Sequence, residues 1–215
     1  MNTILRFSFP WRYVTHLLIG AAMFLTAFSV MAVSKVHLMK GFVATGSANA
    51  DIKVLGTSNL HNWSMEDKDV SCTANFIYAT SKRMMPTSLE ILTLSIPVHD
   101  LKSGKSGMDS KAYAALRAKD GGNITFSSTS STVTTGAAGQ FTVKSNGNLT
   151  IAGVTKPVVM DAACQVMEDG TVSCKGTEKL KMSDYQIKPP TYMMGALKTG
   201  DALIIDFTLV VKKQK

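Results

Sequence analysis

The sequence predicts an all-β domain, an antiparallel β-barrel of about eight strands with a short helix. Three observations carry this. Short runs rich in β-branched and aromatic residues alternate with clusters of Gly, Asn, Asp and Ser along most of the chain. One segment alone shows helical spacing, and its flanks are strands. The composition, 45% apolar and 18% charged, suits a single domain with a real core rather than a disordered chain. Closing the sheet removes exposed edges, which favours a barrel, although two packed sheets fit the same periodicity.

The elements follow in order. Residues 50–58 open the pattern, with Phe42-Val43-Ala44 read as an earlier part of the first strand. Residues 69–79 alternate through Val70, Cys72, Ala74, Phe76 and Tyr78, and residues 89–98 form a dense run of β-formers. Residues 108–119 place Ala112, Tyr113, Ala115 and Leu116 at helical spacing. Asp109 suits the cap or first turn, and Gly121-Gly122 the stop. Residues 124–134, 140–145 and 148–152 read as three further strands. Residues 157–167 and 172–182 form a hairpin about Glu168-Asp169-Gly170-Thr171. With the turn centred near Asp169, Cys164 and Cys174 face each other across the two strands. They are the predicted disulfide, and Cys72 is left over. Residues 203–211 close the domain, with Leu203, Ile205, Phe207 and Leu209 on one face and Asp206 and Thr208 on the other.

The N-terminus has a different character. Residues 1–16 carry Arg6, Arg12 and His16 and no acid, and residues 17–33 form an uncharged apolar run. This is the layout of a secretory signal over residues 1–32, leaving residues 33–215 as the folded domain. Val30-Met31-Ala32 provides one cleavage site and Ala48-Asn49-Ala50 another; the first spares Phe42-Val43-Ala44. An uncleaved N-terminal anchor is the competing reading, because the run is at the short end of a membrane span. The expected location is periplasmic or secreted.

Charge and motifs exclude several classes of function. The net charge is +8, and loss of residues 1–32 leaves 21 basic against 15 acidic residues, or +6. Only Arg83 and Arg117 then remain as arginines, and the lysines are dispersed, so no nucleic-acid partner is expected. A basic surface suits anionic lipid headgroups better. The chain has no dinucleotide or phosphate loop, no zinc-protease helix and no nucleophile elbow. His61 and His99 are candidates for a metal or a base but have no acid or cysteine at ligand spacing, so turn histidines are the plainer reading. Asp184-Tyr185 reads as a turn, and the Asn-x-Ser/Thr matches at Asn62, Asn123 and Asn148 as chance. No catalytic residue, metal or cofactor is expected. What remains is an interior: Leu92, Leu94, Ile96, Ile124, Phe126, Leu149, Ile151, Leu203, Ile205 and Phe207 would line it, or simply fill it.

An ordered set of segments then resembles a known family. Gly56-Thr57-Ser58 with His61-Asn62-Trp63 comes first, then Ile96-Pro97-Val98, Leu101-Lys102-Ser103-Gly104, Met108-Asp109 and Tyr113 with Leu116. Ile124-Thr125-Phe126, residues 147–158 and Pro189-Pro190-Thr191 complete the order, which is similar to the YceI-like family over about residues 51–210. The resemblance implies an exported lipocalin-like barrel with an apolar tunnel that binds long polyisoprenoid chains without chemistry, its polar head near the mouth. The implied partner is an apolar lipid, an isoprenoid or a quinone, held by sequestration. A homodimer and a membrane surface are further partners compatible with it. Leu94, Ile96, Phe126, Leu149, Ile151 and Phe207 are the tunnel candidates. Residues 188–197, with Tyr192, Met193 and Met194, form the first candidate for a mouth or lid, and the helix with Tyr113 and Leu116 the second. The alternative is a structural or stress-response barrel that is filled and acts through its surface.

Overall fold

A computed structural model describes residues 42–78 and 85–212. The chain divides into two units, residues 1–38 and 39–215, and all described residues belong to the second. The predicted leader, its Ala32 cleavage site, His37 and Met84 lie outside the described residues.

The strands are β1 (Phe42–Ser58), β2 (Asn62–Tyr78), β3 (Pro86–Pro97), β4 (Asn123–Thr135), β5 (Gln140–Ile151), β6 (Val154–Val166), β7 (Val172–Lys181), β8 (Thr191–Tyr192) and β9 (Leu197–Val211). β1 to β7 pair antiparallel in sequence order. β9 pairs with β7 on one side and β1 on the other, so eight strands close into a ring. The two-residue β8 pairs only with the start of β9. Closure leaves few unpaired edges, as an antiparallel all-β chain requires.

Period-two alternation builds the wall. In β5, Phe141, Val143, Ser145, Gly147, Leu149 and Ile151 are buried while Gln140, Thr142, Lys144, Asn146 and Asn148 are exposed. The two strands expected over 140–145 and 148–152 are therefore one. Gly147 does not break the strand, because the Phe126 ring lies where its side chain would stand, about 2.6 Å from an ideal Cβ. The β5–β6 hairpin turns on two left-handed residues, Ala152 (φ 51°) and Gly153 (φ 81°), between the paired Ile151 and Val154. That geometry matches the twist of the flanking strands, and it starts β6 three residues before the expected position. β2 likewise begins at Asn62 rather than residue 69, extended by its pairing with β1 from Thr57↔Asn62 onward.

The helix expected over 108–119 is shorter: α1 spans Ser106–Ala115. Asp109 is in its first turn but does not cap it; its carboxylate accepts from the Ser103 N–H (2.8 Å) and hydroxyl (2.6 Å). The helix ends at a left-handed Arg117 (φ 55°), and Gly121 (φ 72°) instead terminates a separate 3-10 turn, Ala118–Asp120, which buries Ala118.

One end of the barrel is solid. Phe76, Phe141, Val143, Val172 and Val211 are buried there, with the Phe76 and Phe141 rings edge to face at 5.9 Å. Cys164 and Cys174, directly opposite in register, form a buried disulfide in this layer. Cys72 is a buried free thiol, pushed up to about 12 by burial. The buried Ser145 hydroxyl is satisfied by Ser131 at 2.8 Å.

The wall is not uniformly laddered. β6 and β7 pair only between Ala162–Val166 and Val172–Gly176. Toward the other end, β6 pairs only with β5, and β7 only with β9. Pro157 falls in the stretch of β6 whose far edge carries no ladder, where its missing N–H costs least.

Two stability outcomes follow. An ideal Cβ on inward-facing Gly176 would stand 2.3 Å from the Phe207 ring and 2.4 Å from the Asp161 carbonyl. Gly176→Ala should lower urea-unfolding stability by about 1–3 kcal/mol through overpacking. Replacing Cys164 and Cys174 together by alanine should cost about 2–3 kcal/mol under the same assay by releasing a short loop.

Candidate functional site

At the end opposite the disulfide, the inward residues do not meet. Val54, Trp63, Met65, Ile124, Ile151, Leu180, Leu203 and Ile205 line a cavity of ≈ 420 Å³, within the range of small-molecule sites. Its roof is α1, which presents Met108, Ala112 and Ala115, with Leu116 just beyond, along one face. Its side is the 3-10 turn Met182–Tyr185 with Ile187. Ser58, His61, Lys105, Pro190, Tyr192, Met193, Leu197 and Thr199 form the rim.

A deeper chamber of ≈ 110 Å³ shares Val54, Leu101, Ile124, Ile151, Leu180 and Ile205 with the outer one. It continues past Leu92, Leu94, Ile96, Phe126, Leu149, Met160 and Phe207 to Leu209, which pairs with Cys174 of the solid layer. Among its described lining residues Glu178 alone is ionisable.

The lumen stays hollow because its aromatic rings lie along the wall. Ideal Cβ positions at Gly56, Gly147 and Gly176 fall 2.1, 2.6 and 2.3 Å from the rings of Trp63, Phe126 and Phe207. Each ring therefore occupies the space over a glycine. The Trp63 indole N–H donates to the Thr57 carbonyl (2.9 Å), which fixes that ring.

Polar bonds fasten the roof and the side. Lys102 and Glu66 exchange backbone hydrogen bonds (2.8 and 2.9 Å), tying the segment before α1 to β2. The Tyr113 hydroxyl donates to the Leu101 carbonyl (2.8 Å) and accepts from Lys102 Nζ (2.9 Å). Asp201 accepts from the Ser183 N–H (2.8 Å) and hydroxyl (2.6 Å), holding the turn that carries Met182 and Tyr185. Those two hydrogen bonds, side chain first, hold the Asp201 carboxyl below its usual range. At the rim, Asn59 accepts from the Lys198 N–H and donates to the Ala196 carbonyl, both 2.9 Å. This joins the β1–β2 turn, which exposes Leu60 (74%), to the β8–β9 loop, which exposes Met193 (79%) and Met194 fully.

The sequence candidates separate cleanly. Leu94, Ile96, Phe126, Leu149, Ile151 and Phe207 line the inner chamber; Ile151, Leu116, Tyr192 and Met193 line the outer one. Tyr113 and Met194 line neither. Tyr113 stacks edge-on with His99 (4.7 Å between centroids) and anchors the helix, while Met194 projects outward. His61 is at the rim. No group of three or more His, Cys, Asp or Glu able to hold a metal occurs among the described residues. Trp63, Leu180, Met182, Tyr185, Ile187 and Glu178 were not among the candidates. For Glu178 a signal existed: Cys174 faces inward to make its disulfide, so positions 176, 178 and 180 do too.

Burial raises the Glu178 carboxyl above the usual range, with Asp161 adding to it. Burial likewise raises the Tyr185 hydroxyl, with Asp184 and Glu178 adding.

A closed antiparallel barrel with a roofed apolar cavity defines a lipocalin-like protein. Residues 32–211 match the YceI-like domain, and the chain belongs to that family. Among solved structures it is similar to BcnA of Burkholderia cenocepacia (16% identity, 76% of this chain and 96% of that one, TM-score 0.59). It is also similar to a polyisoprenoid binding domain from Saccharophagus degradans implicated in plant cell wall breakdown (13%, 80% and 100%, TM-score 0.58). A third is the Campylobacter jejuni YceI protein (21%, 74% and 85%, TM-score 0.51). None of the curated proteins matches this chain.

The cavity side depends on one carboxylate. In Asp201→Asn, amide exchange at residues 183–187 should accelerate about tenfold at neutral pH, with β5 unchanged. Because the folded carboxyl is held low, its support is present above the ordinary carboxylate range. It should be lost as pH falls through the lowered value, abolishing the difference between variant and parent.

Proposed function

We propose that this protein binds and carries a long apolar lipid with an isoprenoid-like tail, by sequestration without chemistry. The observation that carries the reading is the roofed, apolar, two-chambered cavity in a barrel whose far end is solid. Removing apolar chain from water is worth about 0.8 kcal/mol per methylene, so a tail of several isoprene units supplies the affinity without polar contacts. The Saccharophagus domain, described as polyisoprenoid binding, shares this fold and supports the class of ligand. An oxidising compartment suits the buried disulfide, so we place the carrier in the periplasm or outside the cell. The exposed Leu60, Met193 and Met194, with Lys105 in the cavity lining and Lys198 at the start of β9, suit contact with an anionic membrane surface during lipid exchange.

The test is to purify the exported protein without detergent and identify extracted lipid by mass spectrometry. One isoprenoid-tailed species near one per chain is expected. Leu203→Trp, which narrows the outer chamber, should remain folded and lose most of it. A folded parent protein that is empty and takes up no long prenol would overturn the carrier reading.

A further inference from the structure

The cavity is blind at its inner end. Leu209 closes the inner chamber, paired with Ala50 of β1 on one side and Cys174 of β7 on the other. Ala50 also lines that chamber and is buried. At and beyond this level stand Cys72, Phe76, Phe141 and the Cys164–Cys174 disulfide, and none of them lines either chamber. What enters from the rim therefore meets a floor. The residues around the inner chamber, Glu178 included, show it no polar surface. The outer chamber has polar groups at its rim, among them Ser58, His61 and Thr199. An amphiphile thus rests its apolar tip against Leu209 and keeps its polar end at the rim, because the reverse would strip that end of hydrogen bonds.

We infer that this blind cavity measures the tail of its cargo and selects a chain of about four isoprene units. This rests on the carrier reading and adds the length and orientation of the chain. Two measures agree. From Ser58 at the rim to Ala50 at the floor, β1 runs about 26 Å at about 3.3 Å per residue. Strands tilted by about 40° to the barrel axis turn that run into about 20 Å of depth. An extended chain advances about 3.5 Å per three bonds, so an isoprene unit, with its four chain bonds, takes about 4.7 Å. The depth therefore holds about four such units. By volume, chambers of ≈ 420 and ≈ 110 Å³ hold about eighteen heavy atoms at about 30 Å³ each, the liquid volume of a water molecule, which is again about four units. A shorter chain leaves the walls of the inner chamber without contacts. A longer one projects past the rim and exposes apolar surface to water.

The test offers delipidated protein phosphatidylcholine vesicles that contain equimolar farnesol, geranylgeraniol and solanesol, and counts the bound prenols by mass spectrometry. Geranylgeraniol, which has the inferred length, should be the major species, with farnesol, one unit shorter, behind it. Solanesol, more than twice as long, should be bound at least about tenfold less, because its projecting units leave the bilayer for water. Leu94 lines the inner chamber and not the outer one, so Leu94→Trp fills part of the space above the floor. That variant should stay folded and turn the preference to farnesol. Leu92→Phe, a smaller change at the neighbouring inward position of β3, makes the same test if Leu94→Trp does not fold. A parent that takes up solanesol as well as geranylgeraniol, a parent that prefers farnesol, or a folded variant with the parent's preference would overturn the length limit and leave the carrier standing. Uptake of none of the three would overturn both.

Discussion

The cavity depends on where its aromatic rings go. A barrel of eight strands is narrow enough for side chains to fill it, and this one carries Trp63, Phe126 and Phe207 on its inner face. Projected toward the axis, three such rings would close the lumen. Instead each lies over an inward-facing glycine, Gly56, Gly147 or Gly176, at distances that leave no space for a Cβ. The glycines thus set the inner diameter. They also explain why those strands tolerate a residue that ordinarily weakens a sheet: the ring supplies the contacts that the missing side chain would have made. Where no inward glycine receives a ring, as at Phe76 and Phe141, the rings meet edge to face and the barrel is solid.

That division organises the remaining chemistry. The solid end contains the buried disulfide and the protonated Cys72, so its cohesion does not depend on what occupies the other end. The hollow end is bounded by connections instead of strands: α1 above, the turn Met182–Tyr185 at the side, and the β8–β9 loop at the rim. These pieces are held by polar bonds to fixed points, namely Asp109 to Ser103, Tyr113 to Leu101, Ser183 to Asp201 and Asn59 to Lys198. A roof fastened in this way keeps its shape without filling the space beneath it.

Alternation made the wall legible from the sequence: every tunnel candidate drawn from period two, from Leu94 to Phe207, lines a chamber. The disulfide followed from a centred hairpin in the same way. What escaped were features set by neighbours distant in sequence. Gly147 reads locally as a break, and only the Phe126 ring from β4 makes it part of one strand. The helix looked longer because alanines continue past its end, while Arg117 turns left-handed to place Leu116 on the cavity and bury Ala118. Tyr185 reads as a turn residue, and it is one; its ring reaches the cavity because Asp201, sixteen residues on, holds that turn against the barrel. Tyr113 fits the helical spacing of a lining residue, but its hydroxyl is spent on the Leu101 carbonyl.

The roof and the solid end also differ in what it takes to open them. α1 buries none of its residues fully, although Met108 and Ala112 rest half-buried on the cavity. Lifting it exposes little core and breaks few bonds, whereas opening the disulfide layer would expose Phe76, Phe141 and Val172. Local opening follows the smaller loss of buried contacts, so the roof and rim open before the wall or the far end. The rim there presents Leu60, Met193 and Met194 to solvent, which is unfavourable in water and suited to an apolar surface. The cavity faces of Met108, Ala112 and Leu116 lack packing partners, so α1 rests on the hollow without being held by it.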